Sequence, residues 1–423
     1  MSKPLINPGH HILVASIPAA GHVFPYVELV RALVRDGYRI TFLMGETFRE
    51  IVENTGALYL GYDSLVTADA LTGEQDDFSL LTLATRDAAR MIPTVKTFID
   101  ADRPDLVLYD CRAPGAGAYA QHLGIPTIRL HATFACPDSA EPESADLWGA
   151  EYAPDDPRLL KLREVQADLI STLRSIGINV PPGTKRFSSR IEHAIVFIPT
   201  FMQPRKLPVD QSVFHFVGPV LWRDPEEGCS WHPPEGDKKL LLISFGSIMT
   251  NHVAFYRTCI EAFGHLDDWH VVLQIGRIDS RELGHIPENF EVHSWIPQVA
   301  ILRHADAFIT HAGMGGVREA LACGVPMIAI PQVIDEFQNA DSLIEAGVAV
   351  QISLDAATPQ RLLDALSAVR TPTVTEQCAR IADEIGATDG IRLCLDIIQS
   401  AISSRPEECF KQSIKQQETY LSE

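Results

Sequence analysis

The sequence predicts an α/β protein made of two doubly wound domains that face each other across a cleft. Three observations carry this. Short, nearly continuous apolar runs alternate with segments of helical period in the first half of the chain. The alternation stops between Met202 and Lys238, then restarts with the same character. Strands that are apolar throughout, without polar alternation, belong to parallel sheets covered by helices on both faces.

In chain order, His11–Ser16 (HILVAS) reads as a buried strand, followed by the loop Ile17–Pro25. Tyr26–Arg35 is apolar at helical spacing and stops at Asp36-Gly37. Arg39–Leu43, Leu106–Tyr109, Thr127–Leu130 and Ile195–Ile198 are the next strands. Leu221–Lys238, rich in Pro, Gly and charge, reads as an interdomain linker. Leu240–Ser244, a helix from about His252, His270–Ile275, Phe308–Thr310 and Met327–Ile330 resume the pattern, and Asp355 to Gln399 is helical in period. The expected division is a first domain over residues 1–204, a linker over 205–238, a second domain over 239–400 and a helical or flexible tail over 401–423.

The chain has 423 residues, and 35 Lys+Arg against 55 Asp+Glu give a net charge of −20. That balance argues against a polymer of phosphates or an anionic membrane surface as partner. Eight scattered cysteines include no CxxC pair and no zinc-ligand spacing, as expected of reduced thiols in a cytoplasmic protein. The first residues lack the apolar run of a secretory signal, and no stretch approaches the roughly 20 apolar residues of a membrane span.

Two positions in the first half invite chemistry. Ala19-Ala20-Gly21-His22 follows the first strand and puts His22 at the cleft edge, where a general base would sit. Asp110 ends the strand Pro104–Tyr109, which a parallel sheet can place beside the first. A carboxylate there would fix the imidazole tautomer and stabilise the imidazolium. The alternatives are a loop histidine without a role and a helix-capping aspartate.

The second half carries the longer motif. Phe308–Thr310 leads into the glycine-rich turn His311–Gly316 and the helix Val317–Cys323. Backbone N–H groups at such a helix start suit a diphosphate. The turn is neither a Walker loop nor a dinucleotide fingerprint, because Arg318 stands where the third glycine belongs. That speaks against a nicotinamide-dependent oxidoreductase. Around it, Trp295 can stack on a base, Glu319 can accept from ribose hydroxyls, and Asp335 and Glu336 can accept from a sugar. A literal D-x-D, Asp100-Ala101-Asp102, lies in a charged surface stretch and is not expected to bind metal.

The segment from Trp295 to Asn339 resembles the nucleotide-sugar signature of family 1 glycosyltransferases, whose GT-B fold is two Rossmann-like domains across a cleft. From about residue 10 to residue 400 the chain is similar to the bacterial macrolide glycosyltransferases, in runs such as PDLVLYD at 104–110, HVVLQIGR at 270–277 and PQVAIL at 297–302. The resemblance implies a UDP-glycosyltransferase acting on hydrophobic small molecules such as macrolides, flavonoids or phenols. It needs no metal or other cofactor, since the UDP-sugar is a co-substrate. It further implies His22 as catalytic base with Asp110 as partner, Trp295 stacked on uracil, and Gln298 and Glu319 at the nucleoside. Ser247, His311, Gly313, Gly315 and Gly316 would hold the diphosphate, and Asp335 with Glu336 the sugar.

This chain departs from the family in three places. Asp335-Glu336 stands where Asp/Glu-Gln is common, so an acceptor replaces an amide that can also donate. Phe24 replaces a frequent Asn, making the acceptor mouth more apolar, and the tail is longer than usual. The acceptor pocket is expected from Leu65–Met91, Cys111–Ala116 and His131–Trp148, with Phe24, Phe134 and Trp148 as aromatic walls. A monomer or weak homodimer is expected, in natural-product glycosylation or antibiotic inactivation. Rival readings are a sugar-nucleotide epimerase of the same fold and a catalytically silent activator of a partner glycosyltransferase.

Overall fold

A computed structural model describes residues 9–67, 70, 77–136, 153, 155–221, 231–234, 236–246 and 250–403. The first unit runs β1 (His11–Ala15), α1 (Ala20–Arg35), β2 (Arg39–Gly45), α2 (Arg49–Glu53), β3 (Leu58–Tyr62), α3 (Asp77–Ala101), β4 (Leu106–Asp110), α4 (Pro114–His122), β5 (Thr127–His131), α5 (Pro157–Ser175), β6 (Ala194–Val196) and β7 (Phe214–Phe216). Its seven parallel strands lie in the order β3-β2-β1-β4-β5-β6-β7. The second runs β8 (Lys239–Ser244), α6 (Val253–Phe263), β9 (Trp269–Gln274), β10 (Phe290–His293), α7 (Gln298–Leu302), β11 (Ala307–Thr310), α8 (Met314–Cys323), β12 (Met327–Ala329), α9 (Ile334–Glu345) and β13 (Ala349–Gln351). Helices α10 (Pro359–Val369), α11 (Pro372–Gly386) and α12 (Gly390–Ser403) follow. Six parallel strands lie in the order β10-β9-β8-β11-β12-β13.

The period-two geometry of a strand explains the double-sided burial. On β1, Ile12 and Val14 enter one core with Tyr26, Leu29 and Leu33 of α1, while Leu13 and Ala15 enter the opposite core with Met91 and Val95 of α3. On β8, Leu240 and Leu242 pack with Ile301 and Val317, and Leu241 and Ile243 with Phe255 and Leu362. Each such Ile, Leu, Val, Met or Phe side chain contributes about 1.5–3 kcal/mol by leaving water.

Both sheets reverse their strand order beside their first strand. In the first, β1 pairs with β2 on one side and β4 on the other; in the second, β8 lies between β9 and β11. Ligands of open parallel sheets bind outside the strand carboxyl ends at such a reversal, because the flanking loops diverge there and leave a crevice. The residues after β1 and β4, and after β8 and β11, therefore line the two crevices.

The structure moves three expected boundaries. The sequence places the helix after β1 near Pro25, but α1 starts at Ala20 with Ala19 as an extended N-cap. Pro25 is tolerated inside it because the N–H it lacks would have met the carbonyl of Gly21, an exposed residue beside water. Likewise α8 starts at Met314, so Gly315 and Gly316 belong to its first turn. The first sheet reaches Phe216 and so enters the expected linker.

The chain also returns. Cys394, Leu395, Ile398 and Ile402 of α12, whose range falls mostly in the expected second domain, bury against the α1 core of the first. Gly390 permits this approach, since a Cβ there would meet the Val217 carbonyl oxygen at 2.6 Å. Among the described residues no helix is long and apolar enough to cross a membrane.

Candidate active site

At the first reversal, helix geometry and strand register bring three side chains together. His22 and Tyr26, four residues apart on α1, share one helix face. His22 Nδ1 lies 2.8 Å from Asp110 Oδ2, and the Tyr26 hydroxyl donates to the same oxygen. The backbone N–H of Arg112 donates to Asp110 Oδ1 at 2.7 Å. Asp110 is fully buried, whereas the His22 side chain keeps 17% of its exposure. Burial pushes the Asp110 carboxyl up, but His22 and the two hydrogen-bond donors outweigh it and hold the group below its ordinary range. Burial, then the Asp110 charge, drives the Tyr26 hydroxyl far up, so it stays a donor. With a carboxylate on Nδ1, the ring carries its proton there and leaves Nε2 as the basic nitrogen.

Cys111 adds a thiol to this group, and one donor atom each from His22, Asp110 and Cys111 lie within 4.8 Å of one another. Burial pushes that thiol up to about 12, so it is not a thiolate at neutral pH.

At the second reversal, the His311 imidazole lies flush against two backbone turns. A Cβ on Gly313 would stand 2.2 Å from its Nε2, and one on Gly246, whose φ is +73°, would stand 2.9 Å from its Cε1. Between them Ala312 adopts φ 63°, a left-handed conformation that strains a non-glycine residue. It is held there by the Thr310 hydroxyl oxygen, which accepts from its N–H at 3.2 Å, and by Asn339, which donates to its carbonyl at 2.9 Å. Burial pushes His311 down to about 4, against a raising hydrogen bond with the Ser244 backbone, so the ring is neutral near pH 7.

The helix start beside His311 is built for close approach. Gly313 is the N-cap of α8, and a Cβ on Gly315 would meet nothing within 4 Å. At Gly316 a Cβ would crowd Gln298 Nε2 and the Phe308 ring, each at 3.3 Å. Gln298 donates to Glu319 Oε2 at 2.5 Å, joining the two residues expected at the nucleoside. Burial pushes the Glu319 carboxyl up, partly offset by Gln298 and Arg318. Trp295 stands 59% exposed between β10 and α7, a free aromatic face at the same rim.

Asp335 lies in the first turn of α9. Burial pushes its carboxyl up, while Arg112 and His22 from the first unit pull it down. Its neighbour Glu336, expected at the sugar, also caps its own helix. Its Oε2 accepts from the N–H groups of Gln332 at 2.8 Å and Val333 at 3.1 Å, capping its own helix, and its Oε1 lies 3.8 Å from His311 Nε2.

The expected acceptor walls fare differently. Phe24 packs edge-on to Phe48, with ring centroids 6.0 Å apart, against the α1 core. Phe134 leans on the core that contains Ile296 and Val317. Trp148 and Ser247 lie outside the described residues. In the D-x-D stretch, Asp100 is engaged by Lys96 and Tyr119 and Asp102 by Arg39. Sequence reasoning missed Tyr26, whose one signal is its i+4 spacing from His22, and Asn339, whose role depends on a loop conformation.

The family model described as UDP-glucoronosyl and UDP-glucosyl transferase matches residues 223–380. Oleandomycin glycosyltransferase of Streptomyces antibioticus is 38% identical over 404 residues, covering 94% of this chain and 92% of that protein. NDP-glycosyltransferase YjiC of Bacillus licheniformis is 31% identical over 409 residues, covering 93% and 98%. Among solved structures, the glycotransferase of kitacinnamycin superposes with a TM-score of 0.80 at 35% identity, covering 94% of this chain and 100% of that one. CalG4, the calicheamicin glycosyltransferase, gives a TM-score of 0.75 at 29% identity, covering 93% and 98%.

Proposed function

This chain belongs to the UDP-glucoronosyl and UDP-glucosyl transferase family and is a glycosyltransferase, and we propose that it moves glucose from UDP-glucose to a hydroxyl of an apolar small molecule, such as a macrolide, flavonoid or phenol, with inversion and without a metal ion. The supporting observation is the junction of the two sheet reversals. His22, held by the buried Asp110, lies at the reversal of the first sheet and His311, at the start of α8, at that of the second, and the charge of His22 acts on Asp335 of the second unit.

In this reading, His22 Nε2 takes the proton of the acceptor hydroxyl as its oxygen bonds to the anomeric carbon. The bond from that carbon to the diphosphate oxygen breaks on the opposite face, and UDP carries away the electron pair. Asp110 stabilises the imidazolium that forms. The α8 amides and the His311 ring stabilise the leaving diphosphate from fixed positions, which makes them worth more than water dipoles that must reorient. Trp295 stacks on uracil, Gln298 and Glu319 take the ribose, and Asp335 accepts from sugar hydroxyls.

Mass spectrometry of products from a panel of nucleotide sugars and aglycones tests the reading. A hexose adduct on the aglycone, formed equally with and without a metal chelator, is the expected result. Conversion of the sugar nucleotide alone, without acceptor, would refute transfer in favour of epimerisation. His22→Ala should cut turnover by about 10²–10⁴-fold, the usual share of general acid–base catalysis.

A further inference from the structure

Away from the His22 pair, the first unit buries a carboxylate that gathers a whole loop. Asp87 of α3 is fully buried. Its Oδ2 accepts from the Tyr62 hydroxyl at 2.5 Å, and its Oδ1 from the Ser64 hydroxyl at 2.8 Å and the Leu65 N–H at 2.6 Å. Ser64 Oγ accepts in turn from the Val66 N–H at 3.0 Å. One helical turn on, Arg90 donates to Asp63 at 2.8 Å, so residues 62–66 are tied, directly or through Ser64, to one face of α3. Burial, then the Asp87 charge, drives the Tyr62 hydroxyl far up, so it stays a donor. Hydrogen bonds to a carboxylate are about twice as strong as neutral ones, so this loop is set more firmly than an amide would set it.

The loop follows β3 at the carboxyl end of the first sheet, and it stands against the loop that delivers the base. Gly45, the last residue of β2, lies between the two: a Cβ there would stand 2.7 Å from Pro18 Cγ and 3.0 Å from Ser64 Cβ. Pro18 leads into Ala19, the N-cap of α1, whose carbonyl accepts from the His22 N–H at 2.8 Å. Tyr62 shares one core with Ile17 of the same base-bearing loop and with Ala113 after β4. The groups expected at the donor, Trp295, His311 and the start of α8, all belong to the second unit. The body of an acceptor whose hydroxyl meets His22 Nε2 is left to the first unit, where this loop stands beside the base with a half-buried Leu65.

We propose that Asp87 is a positioning residue for the acceptor: by holding residues 62–66 against the Pro18 loop, it fixes one wall of the acceptor site beside His22 and so decides which aglycones fit. This deepens the glycosyltransferase reading and rests on it. Asp87 acts through Ser64 and Leu65 rather than on substrate, as a support that locks the groups lining a site. A misplacement of about 1 Å at a reacting group can cost about 10²-fold, so a loosened wall is felt at the hydroxyl over His22.

Initial rates with UDP-glucose and two aglycones, 7-hydroxycoumarin as a small phenol and quercetin as a larger flavonoid, test it in Asp87→Ala, Asp87→Asn and Gly45→Ala, with UDP affinity by calorimetry. Asp87→Ala should raise acceptor KM about tenfold, change the ratio of kcat/KM between the aglycones at least about threefold, and leave UDP affinity within about twofold. Asp87→Asn keeps an oxygen for Ser64 and Leu65 while the Tyr62 hydroxyl turns to accept from its NH2, so it should restore most of the acceptor KM. Gly45→Ala leaves Asp87 untouched, and the φ of −68° at Gly45 suits alanine, so its methyl acts only as a wedge between Pro18 and Ser64. It should shift the aglycone ratio as well, and it decides the matter if Asp87→Ala does not fold. A wild-type acceptor KM and aglycone ratio in folded Asp87→Ala, or in Gly45→Ala, overturn the proposal. So does a loss that falls equally on both aglycones and on UDP, which would make Asp87 a support of the fold alone. Transfer by the wild-type enzyme is measured first. If it glycosylates neither aglycone, the parent reading and this one fall together, whereas an active enzyme with an unmoved ratio in the variants refutes Asp87 alone.

Discussion

Replacing Asp110 by Asn changes one charge and almost no volume, and the hydrogen bonds around it allow the outcome to be worked out. The carboxylate accepts three donors: His22 and Tyr26 on Oδ2 and the Arg112 N–H on Oδ1. An amide offers one oxygen and one NH2. With the oxygen toward His22, the NH2 meets the Arg112 N–H, donor against donor, in a buried site. With the oxygen toward Arg112, the NH2 faces His22 and Tyr26, and both can turn to accept. The second arrangement is the cheaper, and it puts the His22 proton on Nε2, where the base needs a lone pair.

The charge matters as well. At 2.8 Å and an effective dielectric of about 20, full attraction to an imidazolium has a ceiling of about 6 kcal/mol. A charge-assisted hydrogen bond nets about 1.5–3 kcal/mol after solvent is counted. With the tautomer change, kcat should fall about 10²–10⁴-fold. Initial rates with saturating UDP-sugar and acceptor measure this, and calorimetry should find UDP affinity within about twofold of wild type. Wild-type kcat, or a tenfold loss of UDP affinity with kcat preserved, would refute the pairing of His22 with Asp110.

Three further outcomes follow from the packing. Gly313→Ala places a methyl 2.2 Å from His311 Nε2, so the ring must move, and UDP affinity should drop at least about tenfold in calorimetry while kcat at saturation changes less. Gly390→Ala drives a Cβ to 2.6 Å from the Val217 oxygen; it should cost about 1–3 kcal/mol in urea unfolding and leave UDP affinity intact. His131, buried and held neutral down to about 3, binds a proton more readily unfolded than folded. Its contribution is therefore complete above its unfolded pKa of about 6.5 and is lost as pH falls toward its folded value. Between pH 6.5 and 5 it should remove about 1–2 kcal/mol of stability, and thermal melts of His131→Asn should show a flatter pH dependence over that window.

The sequence by itself determined the two-unit α/β architecture, because a strand buried on both faces must be apolar throughout and the pattern is local. His22 and the glycine turn were legible for the same reason: a short loop between strand and helix cannot be far from a sheet edge. Helix starts lie earlier than the sequence places them. The glycines look like loop residues until the N-terminal turn, which needs no internal donors, is seen to accommodate them, and Pro25 looks like a helix start although it sits inside α1 at the cost of one bond to Gly21. Other facts required the tertiary structure. The pairing of β1 with β4 brings residues 22 and 110 together across 88 positions of chain. The turn of Glu336 onto its own helix start, the left-handed Ala312 held by Asn339, the return of α12 to the first unit and the buried Asp87 with its three donors were equally invisible. Each depends on where a side chain finds its partner once the sheets are packed. Periodicity reports which face of an element is buried, and only packing decides what that face meets.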